Sequence, residues 1–143
     1  MRLVLSLMFF SFTTSLSAEN TAIGPRHMEL PTGYPNVARI ARLQGTITVK
    51  LTVSGDGNVV AAEATSLDDL LRTHPLLQKE AERLSRQWTF TCINCAKEST
   101  YPYSLVFSYR LEGKASYYAD SKVAVDLPNR VTVTANPPVA MPD

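Results

Sequence analysis

The chain is poor in the residues that build metal and redox centres. Its 143 residues include two cysteines and two histidines, His27 and His74, whereas a structural zinc site needs about four ligands. The sequence contains neither a Gly-x-Ser-x-Gly motif nor a phosphate-binding glycine loop, and no combination of side chains meets the requirements for catalysis. We therefore expect no metal, no cofactor and no enzymatic activity.

An excess of charge of either sign is also missing. Fourteen Lys and Arg residues stand against thirteen Asp and Glu residues, and loss of Arg2 with an N-terminal signal balances the two. Because nucleic-acid-binding domains carry a basic face, nucleic acid is not an expected partner. Without a strong net field, binding is expected to depend on shape and backbone pairing.

The N-terminus has the layout of a secretory signal peptide. In MRLVLSLMFFSFTTSLSA, a positive charge precedes an apolar run over residues 3–10, then Ser and Thr, then small residues. The run is shorter than the roughly 20 residues that span a bilayer, so an uncleaved anchor is the weaker alternative, and no cysteine follows closely enough for lipidation. We predict cleavage after Ala18, with Ser17 as the alternative, and a periplasmic or secreted protein without stable membrane insertion.

The remaining chain is long enough for one domain. Residues 19–33 are polar and interrupted by Pro and Gly, and we interpret them as a short leader. Residues 34–135 carry the patterned segments of the domain. Residues 136–143, NPPVAMPD, are predicted to form a disordered tail.

Several segments have the two-residue periodicity of strands. GTITVKLTVS alternates apolar with polar residues, which predicts a half-buried strand, and Asp56-Gly57 predicts a hairpin turn into NVVAAEATS. YSLVFSYRL predicts a third long strand. KVAVDLPNRVTVTA predicts two short strands around a turn at residues 127–129.

Two segments have helical patterns. YPNVARIARL predicts a short helix with Val37, Ile40 and Ala41 packed on the sheet, and with Arg39 and Arg42 as an exposed pair. THPLLQKEAERLSRQW predicts a helix with Thr73 as its N-cap and Pro75 in its first turn. Its apolar stripe is expected to cover the sheet and consists of Leu77, Ala81, Leu84 and Trp88.

Taken in chain order, the short helix, the hairpin, the longer helix and the third strand resemble the C-terminal domain of the TonB family of energy transducers over residues 34–111. The matching residues are Tyr34, Pro35, Ala38, Arg39, Gly45, Asp56, Gly57, Ala81, Trp88 and Phe90. The resemblance implies an α+β, two-layer domain with the chain order β-hairpin, helix, strand. The hairpin and the strand form a small antiparallel sheet, and helices cover one face of that sheet. This chain adds a C-terminal strand extension.

The resemblance also implies a partner. Domains of this family grip an extended segment of an outer-membrane transporter by strand addition and relay force from the inner-membrane proton gradient. Here residues 19–33 are too few to cross a periplasm, even at about 3.3–3.6 Å per residue. We therefore expect a stand-alone protein-binding module, linked to TonB-dependent transport through an extended peptide of an outer-membrane or envelope protein, with a homodimer also open.

The family's partner strand pairs along the last strand of the domain. In this chain the corresponding residues are Tyr103, Leu105, Phe107 and Tyr109. The Val-rich segment that follows has the pattern of a strand that could fill the same edge as a built-in cap. An open edge and a capped edge therefore remain alternatives.

Cys92 and Cys95 form a C-x-x-C motif that departs from the family pattern. In an exported protein with two cysteines, a structural disulfide is the first interpretation. A redox-active pair would need a helix N-terminus to lower a thiol pKa, and this loop leads into a strand. A thiol–disulfide redox protein and a structural envelope domain remain the alternative functions.

The mature protein is expected to begin at Glu19, or one residue earlier, and to be recovered in the soluble periplasmic fraction, because the N-terminal layout is that of a cleaved signal. N-terminal sequencing of the exported protein checks this. Recovery of a chain that retains Met1 in the membrane pellet would show an anchor instead.

Overall fold

The computed structural model describes residues 21–140. The predicted cleavage after Ala18 and the last three residues of the predicted tail lie outside the described residues. The elements in chain order are β1 (Ala22–His27), α1 (Asn36–Ile40), β2 (Gly45–Ser54), β3 (Val59–Thr65), α2 (Asp69–Thr73), α3 (Leu76–Ser85), β4 (Thr89–Ile93), β5 (Thr100–Leu111), β6 (Ser121–Asp126) and β7 (Arg130–Ala135).

The strands form a main sheet of five strands in the order β3-β2-β5-β7-β6 and a minor sheet of β1 and β4. The predicted hairpin is β2–β3, and β5 is the predicted third strand, antiparallel to β2. β6 and β7 are the predicted C-terminal pair. β6 lies two strand positions from β5, and β7 lies between them, parallel to β5 and antiparallel to β6.

One face of the main sheet is apolar and carries the core. Its buried side chains come from the three central strands: Ile47, Val49, Leu51, Val53, Leu105, Phe107, Tyr109, Val131 and Val133. The predicted apolar stripe is buried against this face, through Leu77, Ala81 and Leu84 of α3 and through Trp88, which follows α3. The α+β, two-layer fold with helices on one face is confirmed.

The predicted orientation of α1 is wrong. Val37 is 69% exposed and Ile40 is 58% exposed, whereas Ala38 and Arg39 are buried. Tertiary contacts at both ends of this short helix fix its rotation. The Tyr34 ring packs edge-on against that of Tyr109, with 5.5 Å between ring centroids, and the Tyr34 hydroxyl donates to a main-chain carbonyl after the helix.

The predicted helix of residues 73–88 begins later than expected, and a separate short helix precedes it. α2 ends at Thr73, and α3 begins at Leu76, after Pro75. Thr73 is therefore not an N-cap, and its hydroxyl donates to the carbonyl of Asp69, 2.8 Å away. Proline disfavours helical backbone at the preceding residue, and His74 has an extended φ of −122° and ψ of 84°.

Two segments without predicted elements contain strands. β1 lies in the leader and pairs antiparallel with β4, which covers the start of the predicted loop after Trp88. The Trp88 indole N–H donates to the carbonyl of Glu29 at 3.0 Å. This contact and the minor sheet fasten the leader to the core.

The orientation of α3 can be tested with adjacent leucines. Leu77→Ala is expected to lower the free energy of unfolding by about 2–5 kcal/mol, because Leu77 is fully buried. Leu76→Ala is expected to cost under about 1 kcal/mol, because Leu76 is partly exposed. Urea denaturation of both variants measures the difference, and equal losses would contradict this orientation.

Candidate protein-binding site

β5, which holds the predicted partner-binding residues, lies inside the main sheet. Leu105, Phe107 and Tyr109 are fully buried in the core, and Tyr103 is half-buried. β2 pairs with one side of β5, and β7 pairs with the other side over residues 106–111. Of the two alternatives for this edge, the structure has the capped one over those residues.

The turn between β6 and β7 is fastened to β5 by three hydrogen bonds. The Tyr103 hydroxyl donates to the carbonyl of Pro128 at 2.6 Å. The Asn129 side-chain amide donates to the carbonyl of Ser104 at 3.3 Å, and the Asn129 carbonyl accepts from the Val106 N–H at 2.8 Å. Burial raises the pKa of Tyr103, so its hydroxyl remains a donor at neutral pH.

The other end of the β6–β7 hairpin is held by Arg39, which is 2% exposed rather than part of the predicted exposed pair. Its Nε donates to the carbonyl of Asn136 at 2.7 Å. One terminal nitrogen donates to the carbonyls of Ser116, Tyr118 and Pro137. Because two of these carbonyls precede β6 and two follow β7, one side chain holds both ends of the hairpin.

Arg39 is a buried cation whose hydrogen-bond acceptors are neutral carbonyls. Burying a charge is costly unless its donors are satisfied, and the carbonyl dipoles provide that satisfaction. They also bring part of the predicted disordered tail, Asn136 and Pro137, into ordered contact. The planar fork of a guanidinium suits several acceptors in fixed directions.

The part of β5 that β7 does not reach is a poor edge for strand addition. The Val106 N–H faces β7. Because the backbone hydrogen-bonding groups of successive strand residues point to opposite sides, those of Ser104 and Pro102 point to the same side as those of Val106. Pro102 has no N–H, and the Ser104 carbonyl already accepts from Asn129. Proline at an edge blocks pairing with another chain.

Hydrogen-bonding groups along β7 alternate between its two neighbours. The carbonyls of Asn129 and Ala135 accept from the N–H groups of Val106 and Glu112 at 2.8 Å each. Odd-numbered residues of β7 therefore face β5, and even-numbered residues face β6.

The same alternation leaves the outer edge of β6 unpaired. The even-numbered residues of β7 are in register with Lys122, Ala124 and Asp126, so Val123 and Val125 direct their N–H and C=O groups away from β7. Within residues 21–140, no loop or strand bonds to these outward groups. At Ser121 the edge is covered, because the hydroxyl there accepts the N–H of Tyr34 at 3.0 Å.

The opposite edge of the main sheet is capped at one position. The outward N–H of Ala64 in β3 donates to the Glu82 carboxylate of α3 at 2.9 Å. Glu82 also lies 3.7 Å from Arg86. The two edges of the main sheet therefore differ at this position, since a helix side chain caps Ala64 of β3 and no such contact reaches Val123 or Val125 within the described residues.

Sequence reasoning identified β6 as a strand but missed its edge position. The alternation in SKVAVD was the available signal, because it puts two valines on one face of the strand. The order of the strands in the sheet, which decides which backbone is free, has no local signature.

Cys92 and Cys95 form a disulfide with 5.6 Å between their Cα atoms. The first lies in β4, and the loop that follows is docked on the turn between β2 and β3, where the Gly55 N–H donates to the Ser99 carbonyl at 3.1 Å. The Ala96 N–H donates to the Tyr101 hydroxyl at 2.8 Å. The disulfide loop thus fixes the start of β5 and is not at a helix N-terminus.

Among residues 21–140, no three His, Cys, Asp or Glu side chains lie where they could hold a metal ion. None of the helices described there has the length and apolar character to cross a bilayer.

Comparison with known proteins identifies the family. Residues 31–111 match the model of the family described as Gram-negative bacterial TonB protein C-terminal. No curated protein and no solved structure matches the chain. The chain belongs to the TonB C-terminal family, whose domains are periplasmic protein-interaction modules of Gram-negative bacteria.

The hold of Arg39 on the hairpin can be tested by substitution. Arg39→Met is expected to lower the free energy of unfolding by about 2–4 kcal/mol, because it removes all the hydrogen bonds that the buried guanidinium donates to the ends of the hairpin. Hydrogen exchange should accelerate in β6 and β7 before the rest of the sheet.

Arg42→Met is the matched control, because Arg42 is exposed and the one hydrogen bond described for its side chain goes to the Pro138 carbonyl at 3.2 Å. Its effect is expected to stay within about 0.5 kcal/mol. Unchanged exchange in β6 and β7 of the Arg39 variant would refute the clamp.

Proposed function

We propose that this protein is an exported envelope module that binds an extended segment of an outer-membrane or other envelope protein by strand addition along β6. The observation that carries this proposal is the free outer edge of β6, where Val123 and Val125 direct unpaired backbone groups outward. Strand addition gains affinity from main-chain hydrogen bonds to such an edge. Family membership supports a protein partner in the envelope.

Pairing of a partner along β5, the strand that holds Tyr103, Leu105, Phe107 and Tyr109, would require β7 to leave, because β7 already pairs with that side of β5 over residues 106–111. That exchange exposes the buried side chains of β7, Val131, Val133 and Ala135, at about 1.5–3 kcal/mol for each valine. It also breaks the parallel ladder and the Arg39 contacts. Since a whole domain is stable by about 5–15 kcal/mol, the free edge of β6 is the more accessible site.

The side chains of β6 define the kind of strand that fits. Val123 and Val125 lie half-buried on the core face, in register with Val133 and Val131. Lys122, exposed on the other face, would sit beside a partner side chain at about 4.5–5.5 Å. We infer a partner segment with apolar residues on one face and polar or acidic residues on the other.

The connection with TonB-dependent transport would then be through the partner. The proposed mature protein begins near Glu19, after the predicted signal. It would act in the periplasm as a passive binder of a transporter or another envelope protein. The redox alternative receives no support from the surroundings of the disulfide, which closes a loop between two strands.

The proposal can be tested by cross-linking in the periplasm. A photo-reactive amino acid in place of Lys122, exposed beside the edge, is expected to give a product with an envelope protein that mass spectrometry identifies. Val125→Pro removes one outward N–H and no bond to β7, so it should reduce this product at least tenfold while the protein stays folded.

Two controls separate backbone pairing from other effects. Val125→Thr keeps both the N–H and the branched shape, and should retain the product. Cys92→Ser should retain it as well, because the disulfide is far along the chain from β6. Equal cross-linking by the proline variant, or a product that contains only a second copy of this chain, would contradict the proposal.

A further inference from the structure

The geometry points to a second docking surface, a groove between α1 and the α2–α3 pair that receives an acidic, apolar segment of a partner protein. The groove has a volume of about 410 Å³, and Val37, Leu43, Leu70 and Leu76 are among its lining residues. This inference goes beyond strand addition, because no residue of β6 lines the groove.

The groove gathers apolar side chains that the core leaves in water. Val37 is 69% exposed, Leu70 is 48% exposed and Leu76 is 39% exposed. Single exposed apolar residues are ordinary, but a contiguous patch in a concave surface marks an interaction site. The face of α1 that was predicted to pack on the sheet, which includes Val37, therefore faces solvent.

The walls of the groove are held in place before any partner arrives. Its floor residue Leu43 is 4% exposed, and its N–H donates to the Ala38 carbonyl at 2.8 Å. On the other side, the Gln78 amide donates to the Leu71 carbonyl at 2.5 Å and ties α3 to α2. A preformed groove loses little conformational freedom on binding.

The charge around the groove selects the occupant. Its ionisable lining residues are Lys79 and His74, and no described carboxylate pairs with Lys79. The neighbouring carboxylates Asp69 and Glu80 are each engaged by an arginine three residues later. A segment that carries Glu or Asp beside its apolar side chains is therefore favoured over a cationic one.

Two fluorescein-labelled 16-residue peptides test this inference. Both carry the same Leu and Phe positions, and the remaining positions are Glu in one and Lys in the other. Titrated into the ¹⁵N-labelled mature protein, the Glu peptide is expected to shift the amides of Val37, Leu70, Leu76 and Lys79. The Lys peptide should bind roughly fivefold more weakly, and Lys79→Glu should remove that preference.

Val37→Asp should weaken binding of the Glu peptide at least tenfold. Its matched control is Ile40→Asp, because Ile40 is similarly exposed on the same helix but does not line this groove. Val125→Pro should leave this binding unchanged, so the groove and the β6 edge can fail independently.

Three outcomes would overturn the inference. They are no saturable binding of the Glu peptide, equal binding of both peptides, and amide shifts confined to residues outside the groove. Vesicles of anionic phospholipid provide the remaining comparison, and binding to them that Val37→Asp abolishes, without peptide binding, would assign the surface to a membrane instead.

Discussion

The pairing of β5 on both of its sides is the interaction on which the rest of the structure depends. β2 satisfies one side over residues 100–109, and β7 satisfies the other over residues 106–111. A strand with buried side chains and one unpaired edge would attract another chain. Because β7 of the same chain pairs with this edge, Leu105, Phe107 and Tyr109 remain in a closed core. The unpaired edge of the sheet is then the outer side of β6.

Arg39 connects this arrangement to the family fold. It is one of the residues that match the TonB pattern, and it lies within the family match of residues 31–111. Its four carbonyl acceptors all lie beyond that match. A residue of the family domain thus anchors the segment that distinguishes this chain, since a buried guanidinium must have its donors satisfied.

Two surfaces result from this construction, and they differ in chemistry. The β6 edge offers backbone groups and suits an extended strand. The groove beside α1 offers apolar side chains together with the cation of Lys79. Burial raises the pKa of Tyr34 and of Tyr109, so both hydroxyls stay neutral at physiological pH, and the packing between α1 and the sheet does not depend on their titration.

The sequence by itself determined the strands of the main sheet, the Asp56-Gly57 turn, the apolar stripe of α3 and the family, because these follow from short-range periodicity and backbone preference. It also favoured the disulfide. Tertiary structure alone decided the rotation of α1, the burial of Arg39 and the pairing of the leader strand. It also decided which strand is left at the edge, since strand order depends on contacts between residues far apart in the chain. The opposite exposures of Val37 and Arg39 show the reason. A five-residue helix has too small an apolar face to determine its own rotation. The rotation of α1 is determined instead by the hydrogen bonds at its ends and by the carbonyls of a distant hairpin that accept from Arg39.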